Sequence, residues 1–481
     1  MFLLSFLVTA VGLGVVVWVL RAIYYNLVSP INGIPGPLPA KYTDLWRLFD
    51  FYNGTQIETQ RRLHERFGTA TDFYSVNDAM QDGRRIQNVF STRDKEFHAK
   101  YMRPIHNLFS LRGILSFEHL SDKTLLNLCQ QLESRFVDGD NAGRTCDIAD
   151  WIEFFCWDVD GEMTFGQDMG FLEAGKDEKG MIHTSEQCQR YFGIVGQMPW
   201  LDMWLGKNPR CSIMFPTFAQ AAGYCVQRLL ERQSSQRPKD ILEDFMDHYI
   251  QAKTLNPGVV TDHEVIGYLI LNVLAGADTT AIVTKVIVYN VLSNPAIYGR
   301  LRAELDAATL SYPATYEEVH GLKYLDAVMK EGMRIHPVLG NMLERIVPEG
   351  GLTLSDGRII APGVFVGMNP WLLHHNKDVY GQDAGAFRPE RWLRHEFETQ
   401  EAYEIRLKRM KDTDLTFGAG SRICVGKNFA QVELVKTVAT LFHRYDMELV
   451  PGVKQWTPRW WWFTYVDHIR VRLRRRTSSG G

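Results

Sequence analysis

Cys424 lies in the stretch Phe417-Gly418-Ala419-Gly420-Ser421-Arg422-Ile423-Cys424-Val425-Gly426, which has no acidic side chain. Gly418, Gly420 and Gly426 permit positive φ and a close backbone approach to a flat ligand. From Lys427 the apolar positions Phe429, Val432, Leu434, Val435, Val438 and Leu441 read as a helix. The sulfur thus sits just before a helix N-terminus, where the dipole and free N–H groups are expected to lower its pKa and favour a thiolate. A lone cysteine in such a turn is more often buried and inert. Residue types alone lead no further than a thiolate beside a helix.

A second group with chemical potential is Asp278-Thr279-Thr280, set in a long apolar segment. Thr261 and Glu264 have capping-box spacing. No proline follows until Asn294-Pro295, which allows about 32 residues, or roughly 48 Å, of helix. Val265, Leu269, Val273, Ile282, Val286 and Ile287 make it apolar all round, as in a core helix or a membrane span. An acid buried there is costly unless paired or functional. The threonine hydroxyls can bond back to the preceding turn and bend the helix. Gly276 is expected to let a flat ligand or dioxygen approach the backbone. By itself, however, Asp-Thr-Thr is equally a packing motif.

Farther on, Glu331 and Arg334 stand at i, i+3 on one predicted helix face. An exposed pair of this kind contributes under about 1 kcal/mol. Phe387-Arg388-Pro389-Glu390-Arg391-Trp392 supplies a further arginine, Arg391, before the cysteine loop.

These motifs, in this order from Thr261 to Gly426, resemble those of the cytochrome P450 family. Phe-x-x-Gly-x-Arg-x-Cys-x-Gly has every fixed position filled and is similar to that family's haem-binding loop. The resemblance implies a mainly α fold with small β-sheets around haem b, with Cys424 as the iron's thiolate ligand. It implies that Phe417 belongs to the cofactor loop and that Arg422 and Arg345 meet haem propionates, with guanidinium geometry suited to a carboxylate. His98, in His98-Ala99-Lys100-Tyr101-Met102-Arg103-Pro104, matches a further propionate partner; Met102 stands where a basic residue is expected, so that the contact either passes to Arg103 or is weakened. By the same resemblance Thr279 orients dioxygen, Asp278 relays protons, and Glu331, Arg334 and Arg391 form a buried triad. Val338, Leu339 and Met342 form an apolar ceiling over the substrate, and Asn341 orients a polar group on it.

The remaining chain has to position these residues. Its 481 residues, 45% hydrophobic, suffice for a large core. A net charge of −3 argues against a nucleic-acid binder. Seven cysteines without paired or metal-finger spacing suit a reducing compartment. Phe2 to Leu20 is uncharged and mostly apolar, ending at Arg21, and as a helix spans about 28 Å. Residues 1–21 are therefore expected to be a single transmembrane anchor. Residues 22–44 form a linker with the proline-rich hinge Pro35-Gly36-Pro37-Leu38-Pro39, and residues 45–481 form the haem-thiolate domain. The order of anchor and hinge resembles microsomal members of the family, hence an endoplasmic-reticulum membrane with the catalytic domain in the cytosol. Residues 45–67 read as a helix. A strand segment that the family carries is missing near 68–69, where Gly68 runs straight into Thr69-Ala70-Thr71, and a trimmed sheet would leave an edge to cover.

Asp158 to Gly166, with Gly170-Phe171-Leu172, reads as a helix end and glycine-broken loop used for packing. Met198, Trp200, Trp204 and Phe215 line a substrate cavity or, more readily, pack in the core. Arg406, Lys408, Arg409, Lys411 and Lys427 are either a solvated basic face or a dock for an acidic reductase. The local character of residues 158–172 and 369–392 resembles filamentous-fungal enzymes of specialised metabolism. The expected activity is insertion of one oxygen atom from O2 into a hydrophobic terpenoid, polyketide or alkaloid, with electrons from NADPH-cytochrome P450 reductase. Two alternatives stand beside it: a reductase-independent haem-thiolate isomerase, and a haem-binding protein without turnover.

Overall fold

A computed structural model describes residues 74–476 apart from 78, 82–83, 87, 93, 212–213, 235–242 and 355–356, together with helical positions at 16–17, 19–20, 23–24 and 48. Those few positions aside, the expected anchor, hinge, first helix and junction at Gly68 lie outside the described residues.

The longer helices are α1 (Lys95–Met102), α2 (Glu118–Leu132), α3 (Ile148–Phe165), α4 (Met181–Val195), α5 (Ala219–Ser234) and α6 (Phe245–Leu255). They continue with α7 (Asp262–Ala275), α8 (Ala277–Leu292), α9 (Pro295–Ala307), α10 (Lys323–Ile335), α11 (Gln400–Thr413) and α12 (Lys427–Arg444). Strands are short: β1 (Ala79–Gln81), β2 (Arg84–Ile86), β3 (Cys146–Asp147), β4 (Leu343–Ile346), β5 (Leu352–Thr353) and β6 (Ile359–Ile360). The last five are β7 (Phe365–Met368), β8 (Tyr445–Leu449), β9 (Thr457–Trp460), β10 (Thr464–Asp467) and β11 (Arg470–Arg475). They pair antiparallel as β1–β2, β4–β7, β5–β6, β9–β10 and β3–β11–β8. The architecture is mainly helical with small sheets. Among the described residues β4–β7 is two-stranded, and it leaves Ile346 and Met368 exposed.

The long apolar segment starts as its residues dictate. Thr261 and Glu264 make a full capping box, and Asn294 caps α9 in front of Pro295. The expected single helix is two, meeting at Gly276. Thr279 Oγ1 donates to the Ala275 carbonyl at 2.8 Å and Thr280 Oγ1 to that of Gly276 at 3.0 Å, back-bonding that bends a helix. The reason for Gly276 differs from the expected one. A Cβ there would come within 2.6 Å of Asp160 Oδ1 on α3, so the close approach it permits is that of helix to helix. Gly332 does the same between α10 and α8, where a Cβ would overlap Ile287. α8 packs on α3, α10, α12 and β10, and is the centre of the core. Counted through the break, Asp262–Leu292 is long and apolar enough to cross a membrane, but more than half of it is buried in protein.

Helix α3 ends at Gly166 with φ 68°, as its glycine suggests. Asp158 accepts the N–H groups of Met169, Phe171 and Leu172 at 3.0, 3.1 and 2.8 Å, which closes the following loop. Asp160, also buried, has no hydrogen-bond partner at Oδ2, and burial pushes its carboxyl up to about 7.

Glu331 lies in a buried charge cluster. Arg334 donates to it twice, at 2.8 and 2.7 Å, and Arg391 Nε once, at 2.9 Å. The Trp392 indole and the Arg388 N–H add donors at 2.9 and 2.8 Å. Burial pushes Glu331 up, but Arg334 and Arg391 outweigh it and hold the carboxyl below its usual range.

Two outcomes follow. Removing one partner of such a pair leaves a buried charge, so Arg334→Ala should cost about 3–5 kcal/mol in chemical denaturation; an unchanged midpoint would show that the cluster does not hold the fold. Asp160 is raised, so its cost is absent below its unfolded pKa and grows until the pH reaches its folded value of about 7. Asp160→Asn should therefore gain stability over the wild type between about pH 4 and 7, by up to about 1.4 kcal/mol per pH unit, and level off above. A difference independent of pH would remove this account.

Candidate active site

The cysteine loop is held before α12 by its own backbone. Gly418 and Gly420 take φ 71° and 69°, as their residue type allows. Gly426 has φ −78°, so it is not needed for a left-handed turn. The Cys424 N–H donates to the Phe417 carbonyl at 2.8 Å, and the Lys427 ammonium lies 5.7 Å from the Phe417 ring centroid. The Cys424 side chain is accessible although protein surrounds it closely. Burial pushes its thiol up, outweighing the Gly426 N–H and Lys427, which pull it down. This corrects the expectation of a lowered pKa. The helix end alone does not make the thiolate; a bound cation supplies that charge.

The surroundings fit a haem iron. The sulfur is accessible, beside the apolar Ile423 and Val425. Ala275 is exposed and Thr279 half-buried at the break of a helix pair that is otherwise largely buried. α12, which starts from the cysteine loop, packs on α8, which starts at the break.

Of the expected propionate partners, two converge. Burial and then the charge of Arg422 hold His98 below its usual pKa, so His98 lies within the field of Arg422. Arg422 is oriented by the carbonyls of Val89 and Thr92, at 3.1 and 2.6 Å. Arg103 is exposed at the C-terminal end of α1, where Met102 is buried instead. Arg345 is exposed on β4, with Nη1 on the Glu344 carbonyl at 2.7 Å. Neither arginine has an ion pair among the described residues.

Asp278 is fully buried. Its Oδ1 accepts from the Trp157 indole at 2.9 Å; its Oδ2 accepts from Ser185 Oγ at 3.1 Å and Tyr465 OH at 2.9 Å. Burial, then the nearby Glu153, raise its carboxyl. None of these partners was legible in the sequence. They come from α3, α4 and β10, more than 90 residues away in each case.

Val338, Leu339 and Met342 are half-buried, and Leu339 bridges to Phe463. Asn341 donates to the Trp461 carbonyl at 3.0 Å, which ties the β9–β10 hairpin to the segment before β4. Met198 is buried, but Trp200 and Trp204 are 57% and 69% exposed and do not pack in the core. The basic cluster divides. Arg406 is spent on Glu398 and the Leu393 carbonyl and Lys408 pairs with Asp412, while Arg409 and Lys411 stay exposed.

A family model described as Cytochrome P450 matches residues 38–466. The chain is 34% identical over 478 residues to cytochrome P450 monooxygenase cfoH of Aspergillus candidus, covering 93% of this chain and 89% of that one. It is 31% identical over 499 residues to cytochrome P450 monooxygenase cicH of Emericella nidulans, covering 96% and 97%. The crystal structure of a cytochrome P450 (CYP102L1) superposes with a TM-score of 0.65 over 81% of each chain at 20% identity, a likeness of fold. With a family model matched along most of its length and relatives above 30% identity over nearly all of it, this chain belongs to the cytochrome P450 family and is a monooxygenase that uses haem b.

Proposed function

We propose that this monooxygenase acts on a hydrophobic intermediate of fungal specialised metabolism, a terpenoid, polyketide or alkaloid. We further propose that it works at the endoplasmic-reticulum membrane with electrons from NADPH-cytochrome P450 reductase. The observation that carries the reading is the Cys424 sulfur, accessible although protein surrounds it closely, in the glycine turn before α12. Bound haem supplies oxygen activation, and thiolate donation from Cys424 favours O–O cleavage. The protein supplies orientation and exclusion of water. Arg422 and His98 hold propionates on one side of the loop. Val338, Leu339 and Met342 present apolar surface to the substrate. Thr279, on the open face of the break, supplies a hydroxyl to orient oxygen. Asp278, on the buried face, is the proton donor behind it. Arg409 and Lys411 present positive charge to an acidic reductase surface, and residues 1–21 anchor the domain, with Arg21 on the cytosolic side.

Reduced membranes holding the full chain should show the red-shifted carbon monoxide Soret band of a thiolate-ligated haem, and Cys424→Ala should abolish it. A histidine-type band in the wild type would rule out the ligand assignment. Thr279→Ala should keep that band but divert NADPH to peroxide, with product per NADPH falling about tenfold, a loss of about 1.4 kcal/mol of selectivity. Full coupling in that variant would dismiss the role of Thr279. Removing residues 1–30 should release the protein from membranes; unchanged association would dismiss the anchor.

A further inference from the structure

Beside Asp278, α3 carries a second buried acid. Glu153 Oε2 pairs with the Lys285 ammonium of α8, and both side chains are buried. Trp157, four residues after Glu153, donates to Asp278, seven residues before Lys285. The two contacts are therefore rungs of one antiparallel helix pair, and Glu153 meets Asp278 across it. Two carboxyls face one ammonium. Ser185, Trp157 and Tyr465 add donors but no charge. Farther out, Arg459 lies over the Tyr465 ring and pairs with Glu186 of α4 and Asp467 of β10, which leaves one negative charge, and Asp467 and Asp150 also act on Lys285.

Glu153 Oε1 is buried without a hydrogen-bond donor among the described residues. An orphaned carboxylate oxygen in the interior is expensive. A proton on Asp278 provides the missing donor and removes the second negative charge, leaving the site neutral. Hydrogen bonding and charge thus call for the same single proton.

Resting on the reading of Asp278 above, we propose that Glu153 and Asp278 share one proton under the hold of Lys285, and that this pair reloads Asp278 from solvent during turnover. The way in lies along α3. Asp150, Glu153 and Trp157 stand at i, i+3 and i+7 on one face, and Asp150 is exposed and within the field of Lys285. The Asp278 O–H bond breaks when its side chain turns to the groove beside Thr279 and gives up the proton. Glu153 then takes a proton from water by way of Asp150 and passes it to the Asp278 carboxylate. One proton enters for each that leaves, no electron moves, and Lys285 keeps its charge. Glu153 and Lys285 act through Asp278 and are positioning residues.

The test uses the full-length haem-loaded protein and two readouts. The first is the infrared C=O band of a protonated carboxylic acid in the resting ferric protein at pH 7, taken as wild type minus variant. Asp278→Asn should remove a band. Glu153→Gln removes the carboxylate that pairs with Lys285 and should also remove it, because Asp278 ionises beside the ammonium; the Glu153→Gln/Lys285→Met double variant, without either charge, should restore it. The second readout is the pH profile of coupled turnover and its solvent isotope effect. In Glu153→Gln the limb that reports Asp278 should move down by about one unit or more. In the double variant the coupled rate should fall about tenfold with a larger isotope effect, since the acid is present but not reloaded. A wild-type band and pH profile in Glu153→Gln, or a wild-type rate and isotope effect in the double variant, would overturn the proposal while leaving Asp278 as proton donor if Asp278→Asn still uncouples. Full coupling in Asp278→Asn would overturn both.

Discussion

The carboxylate of Glu331 is the constraint on which the rest of the site depends. It is buried, and it accepts five hydrogen bonds from Arg334, Arg388, Arg391 and Trp392. A buried charge is tolerable when its lone pairs are filled this completely. Arg334 carries the constraint outward, donating to the carbonyls of His374 and Ala384, each at 2.7 Å. His374 Nε2 in turn accepts the Leu415 N–H at 2.9 Å, and the Leu415 carbonyl accepts the Gly418 N–H at 2.9 Å. Three short steps therefore connect the charge cluster on α10 to the turn that presents Cys424.

The central helix pair holds the opposite wall, and its chemistry is divided between two faces. Ala275 and Thr279 are accessible, while Asp278 is buried among Trp157, Ser185 and Tyr465. Hydroxyl and acid are adjacent in sequence and about 100° apart around the helix, as a 3.6-residue period requires. Around them the core accepts more buried carboxyl than stability alone favours. Asp160 and Glu433 are raised to about 7 and about 8 by burial, and each leaves one oxygen without a partner. Glycine at 276 and 332 lets α3 and α10 come close enough to enclose this helix pair.

Charge on the surface is less free than its density in the sequence suggests. Arg406 closes the end of its own segment by binding Glu398 and the Leu393 carbonyl, which leaves Arg409 and Lys411 to solvent. The β9–β10 hairpin has the opposite character. Its apolar run Trp461-Trp462-Phe463 is drawn inward, where Trp462 stacks edge-on against Phe192 of α4 at 4.9 Å and Phe463 bridges to Leu339.

Much of the fold was legible locally because its signals are local. The capping box at Thr261, the glycine stop at Gly166, the proline after Asn294 and the helix beginning at Lys427 each depend on a few neighbouring residues. Cys424 and the pair Glu331 and Arg334 stood out by type and spacing, while Arg422 and Arg391 were named through the family resemblance that their motifs carry. Tertiary structure decided what long-range burial decides. It raised the Cys424 thiol where the helix end alone would lower it, assigned Gly276 to helix packing, and brought Arg422 to His98 while leaving Arg103 and Arg345 exposed. It also put Glu153, Lys285, Ser185 and Tyr465 around Asp278. Desolvation and ion pairing are set by the atoms that enclose a group, and for Asp278 those atoms come from helices and a strand far apart in the chain.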